Sequence, residues 1–464
     1  MKVIFCSSEV YPYAKTGGLA DVCGSLPIAL AKLGISVDIF LPGYGFIDRK
    51  KYRFKPVRDG ISCVEYSERA HVYLIENQKY YSRSRLYGDS KGDYPDNLER
   101  FQYFSQSVLD FVNERQQAVD IIHCHDWQTA LIPVYLKEKY SRSYVLKRIK
   151  SVLTIHNLAY QGVFPQHEFV KTGLGHRLFN IDGFEYYGKA NLLKAGIIFA
   201  DKVTTVSPQY AEEIQTKEFG CGLEGVLKNR KDGIAGILNG IDYDIWNPET
   251  DPHLAMNYSP DNYKEGKRAN KIRLQKESGL PVDPDIPVFG FVGRLSHQKG
   301  IDLIIHAISH WPEDLPAQFI FQGTGDIEYE EQLFKCQSRY PRQVYFHSTF
   351  DEAMAHFIYA GSDILMMPSQ FEPCGLSQMI SMRYGTVPLV YPTGGLADTV
   401  DRSKGIIFQN NTEKGFLQAL QGSVEIYAEK EHFAQMIAEC FKSDFSWEQS
   451  AQKYQELYQW LLSA

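Results

Sequence analysis

Two cations stand close together in Val292-Gly293-Arg294-Leu295-Ser296-His297-Gln298-Lys299-Gly300. An arginine can grip an oxyanion through two parallel N–H bonds, and a lysine adds a compact charge. Arg294 and Lys299 therefore read as a phosphate clamp, with a solvated loop as the plain alternative. Paired glycines occur in Lys15-Thr16-Gly17-Gly18-Leu19-Ala20-Asp21 and again in Thr393-Gly394-Gly395-Leu396-Ala397-Asp398. The hexapeptide from threonine to aspartate is the same in both places. Glycines let a backbone approach an anion closely, and a helix that starts there offers free N–H groups and a positive dipole end. A tight turn in any α/β domain would also use them. The spacing is not G-x-G-x-x-G, so a dinucleotide is not indicated. Lys15 adds a full charge, and Asp21 a carboxylate one helical turn in. In Glu372-Pro373-Cys374-Gly375-Leu376, Pro373 fixes φ and a helix is expected to begin near Gly375. Glu372 either caps that helix or holds sugar hydroxyls.

His123-Cys124-His125-Asp126-Trp127 and Thr154-Ile155-His156-Asn157 close two further apolar runs. Strand alternation sends residues 123 and 125 to one face, but no third ligand stands near, which disfavours a metal. Asp126 and Trp127, just past the run, suit a cleft in which Trp127 offers a stacking face for a sugar. His156 reads as a core imidazole or as a cleft residue, and its place past a strand end favours the cleft. Tyrosines mixed with carboxylates and amides from Tyr80 to Tyr103, Tyr94 among them, suit carbohydrate or any surface loop.

The elements that must carry these residues follow from short apolar runs. One series is Val3–Cys6, Val37–Leu41, Ile121–Cys124, Val152–Ile155, Val203–Val206 and Ile234–Leu238; a second is Val288–Val292, Phe319–Phe321, Val344–Phe346, Ile364–Met367 and Val387–Val390. Runs this short, β-branched and apolar on both faces, are what parallel strands between helices require. Alternation with helical patterns predicts an α/β fold of two Rossmann-like domains, with strand ends facing a cleft between them. The expected boundaries are 1–243, 244–445 and a terminal amphipathic helix in 446–464 that could cross back to the first domain.

Composition bounds the rest. The chain has 464 residues, 44% hydrophobic and 23% charged, with a formal net charge of −7. A mildly acidic surface argues against nucleic acid and anionic membrane as partners. No run of apolar residues is long enough to span a bilayer. The N-terminus, broken by Glu9 and Lys15, reads as a first strand rather than a targeting segment. The eight cysteines are scattered without a C-x-x-C pair, which predicts a reducing, cytoplasmic setting.

Seven motifs in order carry a resemblance: KTGGLADV at 15–22, HDWQTAL at 125–131, TIHNLAYQG at 154–162, LNGID at 238–242, VGRLSHQKG at 292–300, EPCGL at 372–376 and TGGLADTV at 393–400. Nearly end to end, the chain resembles the bacterial glycogen synthases, in the glycosyltransferase family that also holds plant starch synthases. The resemblance implies a GT-B fold and retaining transfer of glucose from ADP-glucose to the non-reducing end of an α-1,4-glucan such as glycogen or a maltooligosaccharide. It implies no cofactor and no metal. It points to Lys15, Gly17 and Gly18 at the donor diphosphate, to Arg294 and Lys299 as neutralising the leaving group, and to Glu372 at the transferred glucose. Asp126, Trp127 and His156 would line the glucose pocket, and Phe350 would stack on adenine. Asp21, Asn157, Cys374, Gly375, Leu376, Thr393, Gly394 and Gly395 would complete the donor site, with Tyr94 and Trp127 towards the acceptor.

Two positions depart from the family pattern. Tyr391-Pro392 and Gln370 stand where arginines are frequent, so UDP-glucose remains a competing donor. Another GT-B transferase and a non-catalytic glucan binder are the other competing readings; intact Lys15, Arg294, Lys299 and Glu372 argue against the binder. Glu372 is followed eight residues later by Ile380 rather than a second glutamate. With no evident carboxylate nucleophile, same-face attack by the acceptor hydroxyl is the expected route to retention.

Overall fold

The computed structural model describes residues 1–89, 92–349 and 351–463. The chain forms two compact units, Met1–Gly240 with Trp447–Ala464, and Ile241–Ser446.

The first unit is built on a nine-stranded sheet in the order Ile234–Gly236, Lys202–Thr205, Lys150–Ile155, Ile121–His125, Lys2–Cys6, Ser36–Pro42, Ala70–Ile75, Ile61–Ser67, Lys55–Arg58. Its strands pair in parallel from the first of these through Ala70–Ile75. Val3, Ile4, Phe5 and Cys6 are all fully buried, as a strand covered by helices on both faces requires. The last three strands form an antiparallel meander that the apolar runs did not foretell. Lys55–Arg58 is largely exposed, so it carries no continuous apolar signal. A separate three-stranded antiparallel sheet joins Val163–Pro165, Lys189–Asn191 and Glu185–Tyr186.

The C-terminal helix, Trp447–Ser463, buries Trp447, Ala451, Tyr454, Tyr458 and Leu461. Ser450 donates to the Leu238 carbonyl at 2.6 Å, and Lys32 pairs with Glu448 at 2.9 Å. The helix thus packs within the first unit. The contact boundaries fall at Gly240/Ile241 and Ser446/Trp447 rather than at the expected 243/244 and 445/446. The physical reason is a short pairing that ties both segments to the second unit: Ile241 N–H donates to the Phe445 carbonyl at 2.8 Å, beside a bridge between Ile241 and Ser446.

The second unit holds a six-stranded sheet, Val344–His347, Gln318–Gln322, Val288–Val292, Ile364–Met367, Val387–Val390, Ile406–Ile407, parallel throughout. The helix Tyr263–Glu277 places Leu274 in a core with Leu280, Val288, Ile320, Met354 and Ile358. Its Lys267 ammonium caps the Ala360 and Ser362 carbonyls and the Thr386 hydroxyl. Among the described residues, no helix is long and apolar enough to cross a membrane.

Candidate active site

In the first unit the strand Lys2–Cys6 leads through a loop into the helix Gly18–Lys32. Glu9, read from sequence only as a break in an apolar run, is buried and organises that loop. Its carboxylate accepts the Thr16 N–H at 2.5 Å, the Thr16 hydroxyl at 2.6 Å, the Gly17 N–H at 3.3 Å and the Tyr87 hydroxyl at 2.7 Å. Gly17 is the extended N-cap of the helix, with no side chain bonded over the helix end. Lys15 lies at the loop surface, paired with Asp21 at 2.6 Å. Opposite charges half exposed to water hold each other only weakly, so Lys15 can exchange this partner for an anionic ligand.

Strands Ile121–His125 and Lys150–Ile155 run side by side and end at Asp126 and His156. Asp126 is buried at 8% exposure, with φ 57 and ψ −172. Non-glycine residues avoid that region at a cost of about 1–3 kcal/mol, and strained residues concentrate at functional sites. Its carboxylate accepts the His156 N–H at 2.7 Å. Burial pushes the Asp126 carboxyl up to about 7, against the opposing bonds from the His156 and Asn157 N–H groups, and the Glu9 charge adds to the rise. Burial drives the half-buried His156 imidazole down to about 3, so it is neutral at neutral pH. Asn157 turns its side chain back to accept the Ala159 N–H at 3.0 Å.

Both His123 nitrogens are taken by hydroxyls, Tyr458 at 2.7 Å and Thr154 at 2.6 Å. The expectation of a free Trp127 stacking face is corrected. The ring is 9% exposed, its edge meets Phe101 at 5.0 Å between centroids, and Phe164 and Gly162 lie against it. Hydrophobic packing takes most of the ring, leaving it as a wall rather than a platform. Tyr94 is half-buried between the guanidinium groups of Arg83 at 4.4 Å and Arg100 at 5.0 Å. Asn239, in a quoted motif but given no role, is buried, and its Oδ1 has no hydrogen-bond partner among the described residues.

In the second unit Arg294 is exposed and Lys299 half-buried, both just past Val288–Val292. Lys299 Nζ lies 2.5 Å from Glu372 Oε2, which also accepts the Ser369 hydroxyl at 3.1 Å. Backbone bonds stitch the two loops together: Gln370 N–H donates to the Gln298 carbonyl at 2.8 Å. Glu372 is buried, and its carbonyl receives the Gly395 N–H at 3.0 Å. The helix Ser377–Arg383 starts two residues later than expected, capped by Leu376, because Gly375 has φ 72 and lies outside right-handed helix. Cys374 is buried beneath the second glycine pair; a Cβ on Gly395 would stand 2.0 Å from its carbonyl oxygen. Thr393, buried, caps the helix Gly394–Thr399, and Gly394 has φ 46. The repeated hexapeptide therefore takes two backbones, extended at Gly17 and left-handed at Gly394. Phe350 lies outside the described residues.

The sequence-predicted residues thus gather into two groups, one in each unit. A starch synthase catalytic domain profile matches residues 2–229, and a glycosyl transferases group 1 profile matches residues 273–437. A glycogen synthase of Thermodesulfovibrio yellowstonii is 44% identical, covering 100% of this chain and 98% of that protein. One of Geotalea daltonii is 45% identical over 100% and 99%. The catalytic domain of starch synthase IV from Arabidopsis thaliana, solved with ADP and acarbose, superposes with a TM-score of 0.89 at 35% identity, covering 100% and 99%. Sucrose-phosphate synthase from Thermosynechococcus elongatus shares the fold at a TM-score of 0.65 and 18% identity. The two units and the profiles and structures they match make the chain a glycosyltransferase of the GT-B class. Within that class the chain belongs to the glycogen synthase and starch synthase family, and its activity is the synthesis of glycogen or starch.

Proposed function

We propose that the protein transfers glucose from ADP-glucose to the non-reducing end of an α-1,4-glucan, with retention and without a metal. The observation that carries this reading is the Lys299–Glu372 pair at 2.5 Å, held where two stitched loops meet a glycine pair. The ADP found with the starch synthase IV neighbour supports the nucleotide.

A departing diphosphate needs positive charge where negative charge develops. Arg294 and Lys299 supply it, two cations just past the strand Val288–Val292. Their combined charge makes a metal unnecessary for this step. Glu372 orients Lys299 and accepts from the hydroxyls of the transferred glucose. His156, neutral, and Asp126 are the first unit's groups able to hold sugar hydroxyls. The acceptor hydroxyl attacks on the face that the diphosphate leaves, its oxygen forms the new bond to the anomeric carbon as the old one breaks, and its proton passes to the departing phosphate. Among the described residues no two cysteines are joined in a disulfide, which supports a cytoplasmic setting.

The test is release of ADP or UDP from ADP-glucose or UDP-glucose with glycogen, in EDTA, beside a Lys299→Ala control. Glycogen-dependent ADP release lost in the control is expected. Release from UDP-glucose alone would overturn the donor assignment, and a requirement for added metal would overturn the metal-free step.

A further inference from the structure

His123 and His125 stack, with ring centroids 4.3 Å apart, yet their nitrogens are treated differently. His123 is satisfied at both nitrogens by hydroxyls. His125 has one partner: its Nδ1 lies 2.9 Å from Nε2 of His156. Its other nitrogen, Nε2, is buried and has no hydrogen-bond partner among the described residues. The ring packs against Phe5, at 5.1 Å, and His123, and the whole residue is buried.

Two neutral imidazoles joined through one nitrogen each must share a single proton in that bond. If His156 were the donor, His125 would carry its own proton on Nε2, leaving a buried N–H with nothing to receive it. Orphaned N–H donors are the rarer defect in folded proteins; an unused lone pair is more readily tolerated. Protonating both nitrogens would bury a cation without a counter-ion, which burial opposes at His125.

We propose that His125 is a positioning residue whose Nδ1–H donates to His156 Nε2, fixing His156 as the tautomer with its proton on Nδ1, a donor towards the sugar. The last clause rests on the reading of His156 as a glucose-pocket residue; the proton positions do not. Hydroxyl oxygens accept as well as donate, so a fixed donor selects which lone pairs the sugar must present. The network behind this donor reaches the C-terminal helix, since His123, on which His125 stacks, is bonded to Tyr458.

Neutron diffraction from the perdeuterated protein locates the protons without turnover. Deuterium on His125 Nδ1 and His156 Nδ1, with His125 Nε2 bare, is expected; deuterium on His125 Nε2 overturns the proposal. Kinetics supply the second readout. The amide nitrogen of asparagine takes the place of Nδ1, so His125→Asn should keep near wild-type kcat while His125→Leu loses roughly 10-fold. Equal loss in both variants, or in neither, also overturns it. Correct proton positions in a protein that transfers no glucose would refute the proposed function and leave the tautomer assignment standing.

Discussion

The carboxylate of Asp126 accepts the backbone N–H of His156 at 2.7 Å, across the ends of two neighbouring parallel strands. That bond makes one side chain the brace for the other's backbone, with the His156 imidazole neutral and the Asp126 carboxyl about half ionised near pH 7.

A pH dependence follows. Folding raises the Asp126 pKa from the ordinary carboxylate range to about 7, chiefly through burial. Between roughly pH 4 and 7 the folded chain keeps a proton that the unfolded chain has lost, so this group's contribution makes stability fall as pH rises. Asp126→Asn removes that slope, worth up to about 1.4 kcal/mol per pH unit, while its side-chain oxygen still accepts from His156. Urea midpoints of the two proteins across this range should converge at low pH and diverge, in favour of the variant, towards neutrality. Parallel curves would show that Asp126 ionises normally.

Lys299→Ala should lower kcat by about 10²- to 10³-fold, the loss typical when one group stabilising a developing anion is removed. Glu372→Gln keeps Lys299 in place but removes the opposing charge at 2.5 Å. It should therefore weaken transfer while binding free ADP at least as tightly as the wild type. Calorimetric titration with ADP separates the two variants.

Gly395→Ala forces a methyl to within 2.0 Å of the Cys374 carbonyl oxygen. Backbone cannot yield as a flexible side chain does, so a loss of about 1–3 kcal/mol is expected. Gly422→Ala, in the helix Glu413–Ala428 with open space around the new methyl, should instead stabilise by about 0.4–1 kcal/mol. Thermal melts of the pair should move in opposite directions.

Tyr458→Phe deletes the hydroxyl that meets His123 Nδ1 at 2.7 Å. A buried nitrogen left without its partner costs about 1–3 kcal/mol, so the urea midpoint should fall. An unchanged midpoint would show that this bond contributes nothing net.

Much of this architecture was legible from residue order. Runs such as Val3–Cys6 and Val387–Val390 are apolar on both faces, and that requirement leaves a plain trace. The meander that includes Lys55–Arg58 left none, because exposed edge strands do not need apolar residues. Arg294, Lys299 and Glu372 were found because each follows a strand end. The contact between Lys299 and Glu372 spans 73 positions, and only the fold could supply it. Glu9 was missed for the converse reason: a lone carboxylate in an apolar run looks like an interruption until Thr16, Gly17 and Tyr87 close around it. Trp127 was placed correctly in the chain, but its type alone could not tell a ring open to sugar from one walled in by Phe101 and Phe164.

The helix Trp447–Ser463 completes a unit whose other residues end at Gly240. On the ribosome, 206 intervening residues must be made before Tyr458 can reach His123. At roughly 5–20 residues per second that is a delay of about 10–40 s. During it the nascent first unit carries a buried-face histidine and an apolar helix-docking surface still open to water, while Ile241–Ser446 is free to fold as soon as it emerges. The order of synthesis and the order of completion are therefore reversed: the unit begun first is the last to be finished.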